Sequence, residues 1–255
     1  MTHDLFDRKL RALRRDRAAR LGPELFLLDR VFDDCLDRVR AVAPPASRIL
    51  LIGCPSPPWR ERLGEFGRVD VIDPGGIFAR RAGGKTAEED RFDFGESQYD
   101  VCVAVGTLDT VNELPLALHM VHRSLRRGGL LIGAVAGGNS LPAMRGALIE
   151  GDRLDDRAIA RTHPRIEPAS FAALLTAAGF HMPVVDVDRV VLRYSKLGDL
   201  VRDLRAMGAT NVLRQRPPPF SKSAAKRARE AFEQGGTGGR TDETVEILHF
   251  LGWRQ

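Results

Sequence analysis

The chain has 255 residues, 43% hydrophobic and 29% charged, and a net charge of +5. This balance suits one large α/β domain, or one domain with a small cap, around a full core. No apolar run approaches the roughly 18 residues that would suggest a membrane span, and no apolar leader or acid-free transit segment is read at the N-terminus, where Asp4, Asp7 and Asp16 intervene.

The three cysteines (Cys35, Cys54, Cys102) show no CxxC pairing and no histidine at metal-ligand spacing. That argues against a zinc site or a structural disulfide and points to a reducing, cytoplasmic setting. Arginine carries most of the positive excess, concentrated at Arg8–Arg20 and Arg214–Arg229. Localised basic helices favour an acidic partner or nucleic acid, and a solvated charged face competes with both.

In chain order, residues 4–21 read as a basic helix stopped by Gly22-Pro23. A second helix is expected at about 24–42, with Leu25, Leu28, Phe32, Cys35 or Leu36, and Val39 forming one buried stripe. After Ala43-Pro-Pro-Ala46, strands and helices alternate. Ile49–Ile52 is a strand and Trp59–Phe66 a short helix. Val69–Ile72 is a strand ending at Asp73, and residues 75–95 read as irregular. Val101–Val105 is a strand, about 112–127 a helix, and Leu130–Val135 a strand. A partly helical insertion follows to about 167. Then come a helix from Pro168, a strand at Val184–Tyr194, a helix at Leu197–Met207, a basic helix at about 221–234 and a last strand at Val245–Leu251. Continuous apolar strands alternating with helices predict a parallel, doubly covered, Rossmann-like sheet.

The stretch Arg48-Ile-Leu-Leu-Ile-Gly-Cys-Pro-Ser-Pro-Pro58 is the most informative. A strand ending in Gly-Cys opens a nucleotide pocket in many α/β proteins, and the turn beyond it is normally Gly-rich, so that backbone N–H groups approach the ligand. Pro55, Pro57 and Pro58 remove donors and add rings there.

The words Phe6-Asp-Arg-Lys-Leu, Arg14-Arg-Asp-Arg-Ala-Ala19, Val111-Asn-Glu-Leu-Pro115, Gly137-Gly-Asn-Ser-Leu141, Val184-Val-Asp-Val-Asp-Arg189, Asp203-Leu-Arg-Ala-Met-Gly208 and Ile247-Leu-His-Phe-Leu-Gly-Trp253 carry a resemblance over residues 6 to 253. The chain resembles the family of mitochondrial complex I assembly factor five and its alphaproteobacterial relatives, akin to the malonyl-carrier-protein methyltransferase of biotin synthesis. The resemblance implies a class I S-adenosylmethionine-dependent methyltransferase fold. Residues 1–43 would form an N-terminal basic helical segment and 44–255 the methyltransferase-like domain, with cap insertions at 139–167 and 196–240.

The family's cofactor pattern is only partly kept. Leu51 stands at the acidic position of the first strand, Gly53 is retained, and Pro55 and Pro57 replace the next two glycines. Asp73 stands where the family holds the ribose hydroxyls, Glu88 where it meets the adenine amine, and Leu108-Asp109-Thr110 where relatives often carry Leu-His-Trp. The resemblance thus implies S-adenosylmethionine contacts at Gly53, Cys54, Asp73, Glu88, Gly106 and Leu108, with no catalytic residue assigned and no metal. Two lost donors, at about 1–3 kcal/mol each, plus a ring clash would weaken binding by roughly two to four decades.

Other residues admit two readings. Asp73 also suits a turn cap before Pro74, Glu88 a solvated loop acid, Asp109 an exposed loop acid, and Cys54 inert core. His119 and His122 could pair on a metal without an evident third ligand. His163 and His249 read as structural, and Asp186 and Asp188 share a strand face, where they could pair with Arg189 or Arg193 or, as the minor reading, act as a catalytic carboxylate pair. The resemblance points the basic N-terminal helix towards a protein partner, an acidic carrier or a respiratory-complex subunit. No aromatic interleaving supports nucleic acid. The function expected is a methyltransferase-like protein acting on a protein or carrier-bound acceptor. The alternatives are a non-catalytic assembly protein on the same fold and an arginine hydroxylase-like assembly factor.

Overall fold

The computed structural model describes residues 4–154 and 159–255. Helices α1 (Arg8–Leu21) and α2 (Phe26–Val42) precede the alternating part. That part runs β1 (Arg48–Ile52), α3 (Pro57–Leu63), β2 (Arg68–Asp73), α4 (Gly76–Arg81), β3 (Lys85–Thr86) and β4 (Tyr99–Val105). A 3-10 turn at Leu108–Thr110 leads to α5 (Leu114–Ser124), β5 (Leu125–Ala136), α6 (Pro142–Asp152), α7 (Pro168–Ala177), β6 (His181–Tyr194), α8 (Leu197–Ala206), α9 (Lys222–Gln234) and β7 (Thr241–Trp253).

The strands form one sheet in the order β3-β2-β1-β4-β5-β7-β6. From β3 to β5 every neighbour is parallel, and β7 runs antiparallel between β5 and β6. Alternation along β1 explains its unbroken apolar run. Ile49 and Leu51 join the core under α2, while Leu50 and Ile52 join the core under α5 and α7. A strand covered on both faces has no polar face to show. The second helix buries Phe32, Cys35, Leu36 and Val39 of the expected stripe together with Val31, while Leu25 and Leu28 are only half-buried. Phe32 stacks on Trp59 with ring centroids 4.4 Å apart, and the Trp59 indole N–H donates to Asp29 at 2.7 Å, which clamps α2 over α3.

Several boundaries differ from the sequence expectation. The stretch 75–95 is not irregular throughout, since it holds α4 and the two-residue β3, too short for any periodicity to reveal. The helix expected to 127 ends at Ser124, where Leu125 opens β5 and the β4–β5 register shifts between Tyr99 and Val101. The last strand begins at Thr241 rather than Val245, because its polar first residues pair with the far end of β6. Of the expected insertion 139–167, residues 155–158 lie outside the described residues. Among the described residues no helix is long and apolar enough to cross a membrane.

Candidate functional site

Three turns meet at the C-terminal ends of β1, β2 and β4, the edge where open α/β sheets bind ligands. Gly53 follows β1 with φ +81°, and a Cβ there would collide with the Val105 carbonyl, so glycine is required. Gly106 follows β4 with φ +71°. Asp73 ends β2 fully buried. The Cys54 N–H donates to its Oδ2 at 2.9 Å and the Gly75 N–H to its Oδ1 at 2.7 Å.

Two of the three prolines sit differently from the sequence expectation. Pro57 and Pro58 occupy the first positions of α3, where a missing N–H costs nothing and a fixed φ suits the helix. Both are exposed, while Pro55 is buried in the turn. The cleft is filled instead by α1. Asp7 caps this helix by accepting from the Leu10 N–H at 2.9 Å. Phe6 just before it is gripped by the Asn112 side chain, which accepts from its N–H at 2.8 Å and donates to its carbonyl at 3.1 Å.

Spacings of three and four put Arg8, Arg11 and Arg15 on one face of α1, and that face points inward. Arg15 holds Asp73 with two hydrogen bonds, Nε to Oδ1 at 2.7 Å and Nη2 to Oδ2 at 2.5 Å, and reaches the Gly106 carbonyl at 3.3 Å. Arg11 holds Glu89 at 2.7 and 2.8 Å and donates to the Thr107 carbonyl at 2.6 Å. Arg8 holds Asp90 at 2.6 and 2.7 Å and also meets Glu88. Arg11 and Arg15 are each 5% exposed. Burial pulls the Arg11 pKa down, but the Glu89 carboxylate outweighs it and the net direction is up. Burial raises the Asp90 carboxyl, and the Arg8 guanidinium together with the Glu113 N–H more than reverses this, leaving it below the usual carboxylate range.

The basic helix therefore turns its inner arginines onto acids of its own chain, and only its outer basic residues are left for the expected partner. Lys9, Arg17 and Arg20 stay exposed. Of the six expected cofactor residues, Asp73 and Gly106 bond to Arg15, Cys54 reaches it through Asp73, and Gly53 packs against the Val105 carbonyl. Glu88 lies half-exposed at the rim, and the Leu108 side chain packs into the core under α5. Cys54 is buried and its thiol is pushed up to about 12, mainly by that burial, which leaves it protonated and inert. The sequence reading passed over Glu89 and Asp90, both more buried than Glu88. The signal was present as three consecutive acids facing a helix with arginines at 8, 11 and 15.

Beside Arg11 and Arg15 lies a cavity of 120 Å³, lined among others by Leu28, Val105, Asp109, Leu141, His163 and Arg165. Asp109 is thus a cavity residue, 3.9 Å from Arg165, rather than a plain loop acid. His163 reads as expected. It packs edge-on against Phe6, its Nε2 accepts from the Val212 N–H at 2.8 Å, and burial lowers its pKa to about 4.

S-adenosylmethionine does not fit this arrangement. All four acceptor directions of the Asp73 carboxylate are taken, two by Arg15 and two by backbone N–H groups. Ligand pockets run to about 300–1,000 Å³, and a cavity of about 150 Å³ takes a molecule the size of benzene. At 120 Å³ the space beside Arg15 cannot receive an adenosyl group while α1 stays in place.

Known proteins agree with the fold and sharpen the resemblance. The chain is 27% identical to the arginine-hydroxylase NDUFAF5, mitochondrial, of Danio rerio, over 98% of this chain and 83% of that protein. It is 29% identical to the malonyl-[acyl-carrier protein] O-methyltransferase of Laribacter hongkongensis, over 70% of this chain and 59% of that protein. Among solved structures, the N-methyltransferase NodS of Bradyrhizobium japonicum, in complex with S-adenosylhomocysteine, superposes with a TM-score of 0.52. That match is 16% identical and covers 97% of this chain and 99% of that one. No protein-family model matches the chain. The sheet order and these similarities give the chain a class I methyltransferase fold, and in sequence it resembles the NDUFAF5 and malonyl-carrier-protein methyltransferase proteins.

Proposed function

We propose that this chain acts as a binding or assembly protein on a methyltransferase frame, with its cofactor cleft closed by its own N-terminal helix. The observation that carries the reading is the buried pair of Arg15 and Asp73, which puts a guanidinium where the family resemblance places the ribose hydroxyls. Hydroxyls and guanidinium alike would make charge-assisted bonds to this carboxylate, but the guanidinium adds an opposite charge in a two-bond geometry. It is also tethered, so a free ligand competes against a high effective concentration.

The partner is an acidic protein surface. Arg14 lies beside Arg17, Arg205 and Arg216; burial, then these like charges, push its pKa down, and its buried Nε has no hydrogen-bond partner among the described residues. Arg216 pairs with Asp7 at 3.0 Å, but Arg14, Arg17 and Arg205 have no carboxylate partner among the described residues, which suits incoming carboxylates. The naming of the Danio rerio relative as an arginine-hydroxylase and of the Laribacter relative as a methyltransferase supports the family setting, not a reaction for this chain.

The test is thermal unfolding with S-adenosylmethionine and S-adenosylhomocysteine. A ligand at one hundred times its dissociation constant stabilises the native state by about 2.7 kcal/mol. The reading expects an unchanged midpoint up to millimolar ligand; a rise at micromolar ligand would overturn it.

A further inference from the structure

Two residues along β7 from Ile247, which lines the cavity beside Arg11 and Arg15, the strand carries a histidine that the architecture leaves unexplained. His249 is 2% exposed, and neither ring nitrogen has a hydrogen-bond partner among the described residues. A buried polar group left unpaired costs about 1–3 kcal/mol, so a native fold normally supplies something to it. Antiparallel register puts Asp186 directly opposite His249, and Asp188 opposite Ile247 two residues away, so all three polar side chains share one face of the sheet. Asp34 of α2 comes down onto that face, its Oδ2 3.6 Å from His249 Nε2.

We propose that Asp34, Asp188 and His249 form a site for one divalent first-row cation of the zinc type, tying α2 to the β6–β7 edge of the sheet. One ligand atom from each of the three lies within 4.8 Å of the others. A zinc ion sits about 2.0–2.2 Å from nitrogen and oxygen ligands, so its tetrahedral ligand atoms stand roughly 3.3–3.5 Å apart. The separation of 3.6 Å between Asp34 and His249 is already close to that.

The donor set favours such an ion over magnesium or calcium. An imidazole nitrogen suits zinc and its neighbours, whereas the harder ions take oxygen alone. Neither His249 ring nitrogen is engaged in a hydrogen bond among the described residues, which leaves a lone pair to give. Arg30 holds Asp188 at 3.0 Å and Arg38 holds Asp186 at 2.8 Å, fixing these carboxylates as outer partners fix metal ligands. Asp34 has no arginine or lysine partner among the described residues. Three carboxylates against two guanidinium groups thus leave a local negative charge beside a neutral imidazole. The Asp34 side chain is 43% exposed, which gives the ion an entry path and a water position.

The experiment is equilibrium dialysis of the full chain against zinc chloride after stripping with a chelator, with thermal unfolding as a second readout. The wild type is expected to take up one equivalent at sub-millimolar free zinc and to melt later when loaded. Asp34→Asn, a half-exposed change that the fold tolerates, is expected to weaken uptake at least about tenfold and to abolish the melting shift. Asp188→Asn is expected to do the same. No uptake by the wild type, or uptake that Asp34→Asn leaves unchanged, would overturn the proposal.

Discussion

The guanidinium of Arg15 lies edge-on to the carboxylate of Asp73, with Nε 2.7 Å from Oδ1 and Nη2 2.5 Å from Oδ2, at a position where both side chains are sealed from solvent. An isolated charge in that environment would be far costlier than the pair, so each group requires the other. The pair links the N-terminal helix to the end of β2 and fills the ground between them. Stability and ligand access are therefore coupled through one side chain.

Removing that side chain is expected to be expensive. Arg15→Ala leaves Asp73 buried and unpaired and should lower stability by about 3–5 kcal/mol in urea denaturation. Arg17→Ala, on the exposed face of the same helix, should stay within about 0.5 kcal/mol. Equal effects would mean that the arginines of α1 act as a general charge and not as a filled site.

Restoring glycine in the turn should not restore the cofactor. Pro57 and Pro58 begin α3 on the exposed side, so Pro57→Gly is expected to lower stability by about 0.4–1 kcal/mol through the unfolded chain. It should leave calorimetric titration with S-adenosylhomocysteine flat. Micromolar binding by this variant alone would return the obstruction to the proline rings.

His163 makes stability depend on mild acid. Its folded pKa of about 4 lies below the ordinary 6.5, because burial disfavours the charged ring. Between those values the unfolded chain binds the extra proton, so the stabilisation is complete above pH 6.5 and is lost as pH falls towards 4. The loss amounts to about 2–3 kcal/mol. Urea denaturation across this range should show a steeper acid loss for the wild type than for His163→Gln; parallel curves would contradict the assignment.

No cysteine of the native chain should react readily. Burial pushes the Cys54 and Cys35 thiols up to about 12, and Cys102 higher still. Iodoacetamide at mildly alkaline pH is expected to label all three after unfolding and none quickly before it, read by mass spectrometry. Fast labelling of Cys54 would show that the turn after β1 opens.

The sheet was legible in the sequence because strands such as Ile49–Ile52 and Val101–Val105 are buried on both faces and must be apolar throughout. Asp73 stood out because it closes such a run. The direction of the arginines was not legible, since a basic helix has the same spelling whether its charges face water or buried acids. Arg8, Arg11 and Arg15 share a face, yet only tertiary packing pairs them with Asp90, Glu89 and Asp73, some 60–80 residues away. The meeting of Asp34 with His249 was hidden for the same reason, because it depends on how α2 crosses β7. The short β3 escaped notice because two residues carry no period.

The most direct measurement is a crystal structure of the full chain grown with saturating S-adenosylhomocysteine. Arg15 is expected on Asp73 as described, with no adenosyl density at the ends of β1 and β2. A ribose seated on Asp73 with Arg15 swung away would contradict the account.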